Sequence, residues 1–205
     1  MVLKRPYLKL GKYTIMNYID KSWVLLFKQD VSKNPRFFTN ADEYLNYYNE
    51  SDNDIYSILG EAHQWEKKFD QYEFLLEYPQ LVGYNHWKQT NFPLDEKQNK
   101  VPEGYYNISN TWINLDFGGL IYNGRCSLLK GSIRSSWWFY AIGTKPNCGG
   151  FGVDSIPGPN THDKIVLLWM RIPTIKIQFI NYRECSYIKN VDIKFLFSSL
   201  ILICK

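Results

Sequence analysis

Seven short apolar or aromatic runs dominate this chain, at 23–27, 72–78, 105–115, 120–122, 127–129, 137–142 and 164–172, and turn-forming residues separate them. Runs of this length with little helical sequence between them disfavour a parallel α/β sheet, whose crossovers need helices. They predict a mainly β protein, an antiparallel β-sandwich of jelly-roll type with two short helices. Residues 23–27 (Trp-Val-Leu-Leu-Phe) and 164–172 are apolar on both faces, so both strands should be covered on both sides. In the latter, Val166, Leu168 and Met170 alternate against Ile165, Leu167 and Trp169.

The helical signal lies between the first two runs. Asn40 can cap a short helix over 41–48. Asp52 or Asn53 can cap a second over 54–68, where Ile55, Ile58, Leu59, Ala62 and Trp65 recur at three- and four-residue steps. Residues 85–93 read as a polar, aromatic loop. Gly118-Gly119 should end the strand over 105–115, whose inward side chains are Ile108, Trp112 and Leu115. Residues 143–159, rich in Gly, Pro and Asn, read as a long loop.

These signals divide the chain into an N-terminal extension (1–22, where 7–18 could add a strand), a β-sandwich module (23–172) and a tail (173–205). In the tail, 18 of the last 31 residues are Ile, Lys, Phe, Asn or Tyr, and none is Gly. Two readings stand side by side: an extra strand pair, or translated A/T-rich sequence from a misplaced gene end. Its apolar stretch, 195–204, is about half of what a membrane span needs.

At 205 residues, the chain can bury roughly 70% of its unfolded surface without metal or disulfide support. The net charge of +4 is scattered, with no basic run of the kind that tethers nucleic acid or membrane. Neither partner is expected. Cys126, Cys148, Cys185 and Cys204 lack metal-knuckle spacing, so no zinc site is expected; Cys126 and Cys148 could pair in a secreted protein, and free thiols fit a reducing compartment equally. No signal-peptide stretch follows Met1, which predicts the cytosol; an extracellular protein would need a further N-terminal segment.

An ordered set of motifs runs from Trp23 and Phe27 through Phe37-Phe38, Tyr56-Ser57-Ile58-Leu59 and Phe74-Leu75-Leu76-Glu77-Tyr78-Pro79. It continues with Trp87-Lys88-Gln89-Thr90-Asn91-Phe92-Pro93, Gly104-Tyr105, Gly118-Gly119-Leu120, Trp137-Trp138-Phe139-Tyr140-Ala141-Ile142-Gly143, Ile156-Pro157-Gly158-Pro159 and Leu168-Trp169-Met170-Arg171. This set resembles an uncharacterised module of hypothetical proteins from protists and aquatic invertebrates. The resemblance implies a shared domain over 23–171 and carries no activity with it. The invertebrate copies sit in secreted multidomain proteins; this chain departs from them in lacking their signal peptide and in its sequence after Arg171.

Catalytic motifs are weak. There is no Gly-x-Ser-x-Gly elbow, and nothing in the local sequence joins Cys148 to His162. Gly149-Gly150-Phe151-Gly152 lacks the Lys-Ser/Thr of a phosphate cradle, and no cofactor is implied. Glu73 and Glu77 share one strand face and are the one carboxylate pair to weigh for glycoside hydrolysis. Recognition is the stronger expectation. Trp87 with Gln89 and Asn91, and Trp137 with Asn147 and Asp154, place an aromatic beside amides and carboxylates, the mixture a sugar needs. The expected function is a non-enzymatic recognition module with a glycan ligand. A structural or protein-interaction domain is the alternative, with Trp87 then a buried anchor. Asn49-Glu50-Ser51 and Asn107-Ile108-Ser109 match the glycosylation pattern, which matters only outside the cell.

Overall fold

The computed structural model describes residues 7–18, 20–33, 37–96, 100–112, 116–132, 140–146, 155–159 and 161–174, and the backbone of 177–180 and 201–204. Strands are numbered along the chain. The main sheet is antiparallel, in the order β1 (Tyr7–Leu10), β2 (Tyr13–Tyr18), β3 (Lys21–Asp30), β13 (Ile165–Ile172), β5 (Tyr72–Tyr78), β6 (Gly83–Gln89) and β7 (Tyr106–Asn110). The long β3 pairs with β13 along one edge. On its other edge β2 takes residues 21–24, and the short β4 (Ile55–Ser57) takes residues 27–29.

A three-stranded sheet, β8 (Phe117–Tyr122), β9 (Ser127–Ser132) and β10 (Ile142–Thr144), packs across the main sheet. The expected antiparallel sandwich is therefore present. β11 (Ile156–Pro157) pairs with β12 (His162–Asp163), and β14 (Ile177–Ile180) pairs in parallel with β15 (Ile201–Cys204).

The core between the two sheets holds Val24, Leu26, Phe27, Phe74, Leu76, Tyr78, Trp87, Val166 and Leu168 from one side. Leu120, Leu128, Leu129, Tyr140 and Ile142 meet them from the other. Leu26 and Phe27 both point inward because β3 bulges there: Leu168 opposes Phe27 and Trp169 opposes Leu25, which leaves Leu26 as the extra residue. The bulge adds Phe27 to the inner face, while Trp23 and Leu25 are buried on the outer face, so all five residues are covered. β13, the last strand of the sandwich, returns to the centre of the main sheet and is covered on both faces, as its two-sided apolar pattern requires.

Several expectations need correction. Residues 7–18 are not an extension: they form the β1–β2 hairpin at one edge of the main sheet, with Tyr13, Ile15 and Met16 buried. The apolar stripe over 54–68 is not one helix. β4 occupies Ile55–Ser57, and a short α-helix, α1, follows at Leu59–His63. All five stripe residues are buried, so the stripe marks burial in a strand and a following turn rather than a helical period. The helix expected over 41–48 contracts to a 3-10 turn at Ala41–Tyr44, with Asn40 capping it as expected.

Residues 83–89, expected in part as a loop, form the interior strand β6. Gly118-Gly119 do not end a strand; β8 runs through them with a register shift, and Gly119 takes φ +94°, a conformation open to glycine at little cost. Ile108, expected inward, is exposed on the edge strand β7 because it is the extra residue of a bulge opposite His86 and Trp87. Trp112 packs half-buried against the core, and Leu115 lies outside the described residues.

Candidate functional site

Of the predicted ligand residues, Trp87, Gln89 and Asn91 lie among the described residues, and Trp87 and Gln89 are buried in the core. Trp87 has 0% of its surface exposed. Alternation along β6 aims Asn85, Trp87 and Gln89 into the sandwich, where Trp87 stacks on Phe74 (5.4 Å) and meets Phe117 edge-on (4.8 Å). Its indole N–H donates to Gln89 Oε1 at 2.8 Å. Gln89 is itself buried, bonded to both backbone groups of Leu120. Asn91 lies beyond the strand, its amide donating to Glu96 at 3.2 Å. Trp87 and Gln89 are thus the anchor and clamp of the sandwich. Trp137, Asn147 and Asp154 lie outside the described residues, as do Cys148 and Gly149–Gly152.

The opposite face of the main sheet is where chemistry gathers. Strand register sorts its side chains into rows running across the strands. One row reads Tyr56, Lys28, Leu167, Glu77, Tyr84, Thr111. The next reads Lys9, Thr14, Leu25, Trp169, Leu75, His86, and the third Tyr7, Met16, Trp23, Arg171, Glu73, Lys88. Met16, Trp23, Leu25, Leu75 and Trp169 make a second apolar cluster there, with Tyr18, Tyr56, Tyr84 and Leu167 packed against it.

Over the first two rows lies a groove of about 820 Å³. Its floor is Leu25, Leu167, Trp169 and Glu77. The β1–β2 hairpin, the loop carrying Tyr48, Asn49, Glu50, Asp52 and Asn53, and the segment from Pro79 to Tyr84 with Thr111 supply most of the remaining lining. Tyr7 (63% exposed) and Tyr48 (44% exposed) present aromatic rings to solvent, and Tyr84 is half-buried. Tyr48 meets Tyr56 edge-on at 6.2 Å.

The polar groups of the groove are held in place. Glu77 accepts from the Trp169 indole N–H at 2.9 Å. Asp52 accepts from Tyr47 Oη at 2.9 Å and from the backbone of Asp54 and Ile55, while Asn49 Oδ1 accepts from the N–H and hydroxyl of Ser51. These local side-chain bonds shape the loop before any ligand arrives. Lys28 Nζ donates to the carbonyl of Asn53, tying that loop to β3. The Tyr56 hydroxyl is buried with no hydrogen-bond partner among the described residues, and burial raises its pKa, so it stays a neutral donor.

The far end of the third row, at Arg171 and Glu73, lies outside the groove and carries a charge knot. Glu73 Oε1 accepts from His86 Nε2 (2.7 Å) and Lys21 Nζ (2.5 Å), and Oε2 from Arg171 Nη1 (2.8 Å). Burial alone would raise its pKa; the bonds from His86, Lys21 and Arg171 outweigh burial and hold it at about 2. The Arg171 guanidinium lies 4.3 Å over the Phe69 ring, and Trp23 meets His86 edge-on at 5.3 Å. Glu73 and Glu77 share a face, as expected, but Glu77 lines the groove and Glu73 does not.

Among the described residues no three His, Cys, Asp or Glu cluster to hold a metal, and no helix is long and apolar enough to cross a membrane. Cys126 is disulfide-bonded. Asn107, in one glycosylation pattern, is exposed on β7, and Asn49, in the other, lines the groove.

Sequence reasoning missed the groove because its residues are scattered from Tyr7 to Trp169 and only strand register assembles them. The usable signal was the two-sided apolar pattern of β3 and β13, which demands cover on a second face. In comparisons with known proteins, no family model, curated protein or solved structure matches the chain.

Proposed function

We propose that this protein is a non-enzymatic recognition module for glycans, and that it binds them in the groove on the outer face of its main sheet. The observation that carries this reading is the pairing, along one groove, of accessible tyrosine rings with amides and carboxylates already held in position. A pyranose offers an apolar face for stacking and hydroxyls for hydrogen bonds, and Tyr48, Tyr84, Asn49, Asp52 and Glu77 meet both demands. Sites of this kind are concave, mainly apolar and largely pre-formed.

The carboxylate geometry argues against hydrolysis by Glu73 and Glu77. Glu77 lines the groove and Glu73 does not, so the two carboxylates do not face one shared cleft. Glu73 is moreover fully engaged by three donors.

A glycan array with the full chain tests the proposal, followed by titration of each hit against Tyr84→Ala and Tyr48→Ala. Binding that both variants weaken supports the reading. Silence across the array, or hits indifferent to both substitutions, refutes it.

A further inference from the structure

The groove has a length as well as a volume. Its lining includes Tyr7 and Lys9 of β1, Thr14 of β2, Leu25 of β3, Trp169 of β13, Glu77 of β5, Tyr84 of β6, and Thr111 just past β7. It therefore crosses the whole sheet from one edge to the other. Seven strands make six steps of about 4.8 Å, so the path is up to roughly 29 Å along the sheet. Tyr7 and Thr111, at the two ends of that path, are both exposed. A site that recognises one terminal sugar would be closed at one end; among the described residues, the lining at both ends of this groove is exposed.

Its aromatic rings follow the same path, with Tyr48 in contact with Tyr56. Tyr7 stands at one end, Tyr56 and Trp169 lie midway, and Tyr84 lies toward the other. The polar groups follow the same line. Lys9 lies near the Tyr7 end, and Glu77 and Thr111 lie near the Tyr84 end.

We infer that the groove takes a linear, extended oligosaccharide, several rings long, with both ends of the chain running out into solvent. This rests on the glycan reading above. A chain of repeating units supplies repeated apolar faces for separated rings, which a branched or terminal sugar does not. Each unit added inside the groove should add contacts without repeating the loss of translational and rotational freedom, so affinity should climb with chain length and then level off.

The test is a calorimetric titration of the full chain with linear β-1,4-linked gluco-, xylo-, manno- and chito-oligosaccharides of one to six units. The expected result, for at least one series, is affinity that tightens on the order of tenfold or more from the monomer to the tetramer and then reaches a plateau. Tyr7→Ala and Tyr84→Ala, at opposite ends, should each weaken the hexamer, and neither should abolish binding of the dimer. A monomer that binds as tightly as the hexamer overturns the extended-chain inference and leaves the glycan reading standing. No binding at any length, with every series, removes both.

Discussion

Gln89 pairs with Leu120 as one peptide group pairs with another: its Oε1 accepts the Leu120 N–H at 3.1 Å and its Nε2 donates to the Leu120 carbonyl at 3.1 Å. A side-chain amide of the main sheet thus completes the backbone pairing of a strand in the second sheet. Gln29 repeats the device with Thr144, accepting its N–H at 3.1 Å and donating to its carbonyl at 3.4 Å, with Tyr44 Oη on the same carbonyl at 2.9 Å. Buried backbone groups need partners, and these two glutamines supply them on β8 and β10, which lie either side of β9 in the second sheet.

Gln89→Ala should therefore be costly. It orphans the N–H and carbonyl of Leu120 and the indole N–H of Trp87 in a dry interior. The expected destabilisation is about 3 kcal/mol in urea unfolding, with glycan affinity unchanged. A loss below about 1 kcal/mol would mean that water or a neighbour satisfies those groups.

These glutamines also explain what was hard to read. β3, β5 and β13 were legible because their apolar patterns exceed what one buried face needs. β6 was not. Its core-facing positions are Asn85, Trp87 and Gln89, so the buried face carries the polar atoms and the alternation runs against hydrophobicity. A sequence reader sees Asn-His-Trp-Lys-Gln-Thr-Asn and infers a loop. The sequence shows an aromatic among amides, and the partners of the Gln89 amide are the backbone groups of Leu120 in the second sheet. Their identity depends on cross-sheet contact, which no local pattern encodes.

Trp87 and Tyr84 should separate stability from binding. Both lie on β6, three residues apart, and face opposite sides of the sheet. Trp87→Phe removes the indole N–H bond to Gln89 and should cost about 1–2 kcal/mol of stability with no change in oligosaccharide affinity. Tyr84→Ala should cost under about 1 kcal/mol of stability and weaken binding on the order of tenfold. Calorimetric titration and urea unfolding of both variants give the four numbers. If Trp87→Phe weakens binding more than Tyr84→Ala, the site lies on the other face.

Cys126 should be found oxidised. It is disulfide-bonded just before β9, where sequence spacing left pairing and free thiols equally open. Non-reducing peptide mapping should return it in a cross-linked peptide, and reduction should lower stability by about 2–4 kcal/mol. Quantitative alkylation of Cys126 in the untreated native protein would contradict the bond.

Glu73 should make the fold acid-sensitive over a defined range. Its folded pKa, held at about 2, lies below the ordinary carboxylate value of 4.5, so the folded state favours the charged form. The stability it contributes is then fully present above about pH 4.5 and is lost as pH falls through that value toward 2. The gap corresponds to about 3 kcal/mol for this buried group. Glu73→Gln mimics the protonated state. At pH 7 it leaves Lys21 and Arg171 without their shared anion, and should cost a similar amount. At pH 2 the variant and the parent protein should converge. Urea midpoints of both proteins from pH 7 to pH 2 test this directly. A difference that stayed constant across that range would mean that Glu73 contributes through shape and packing, with its charge playing no part.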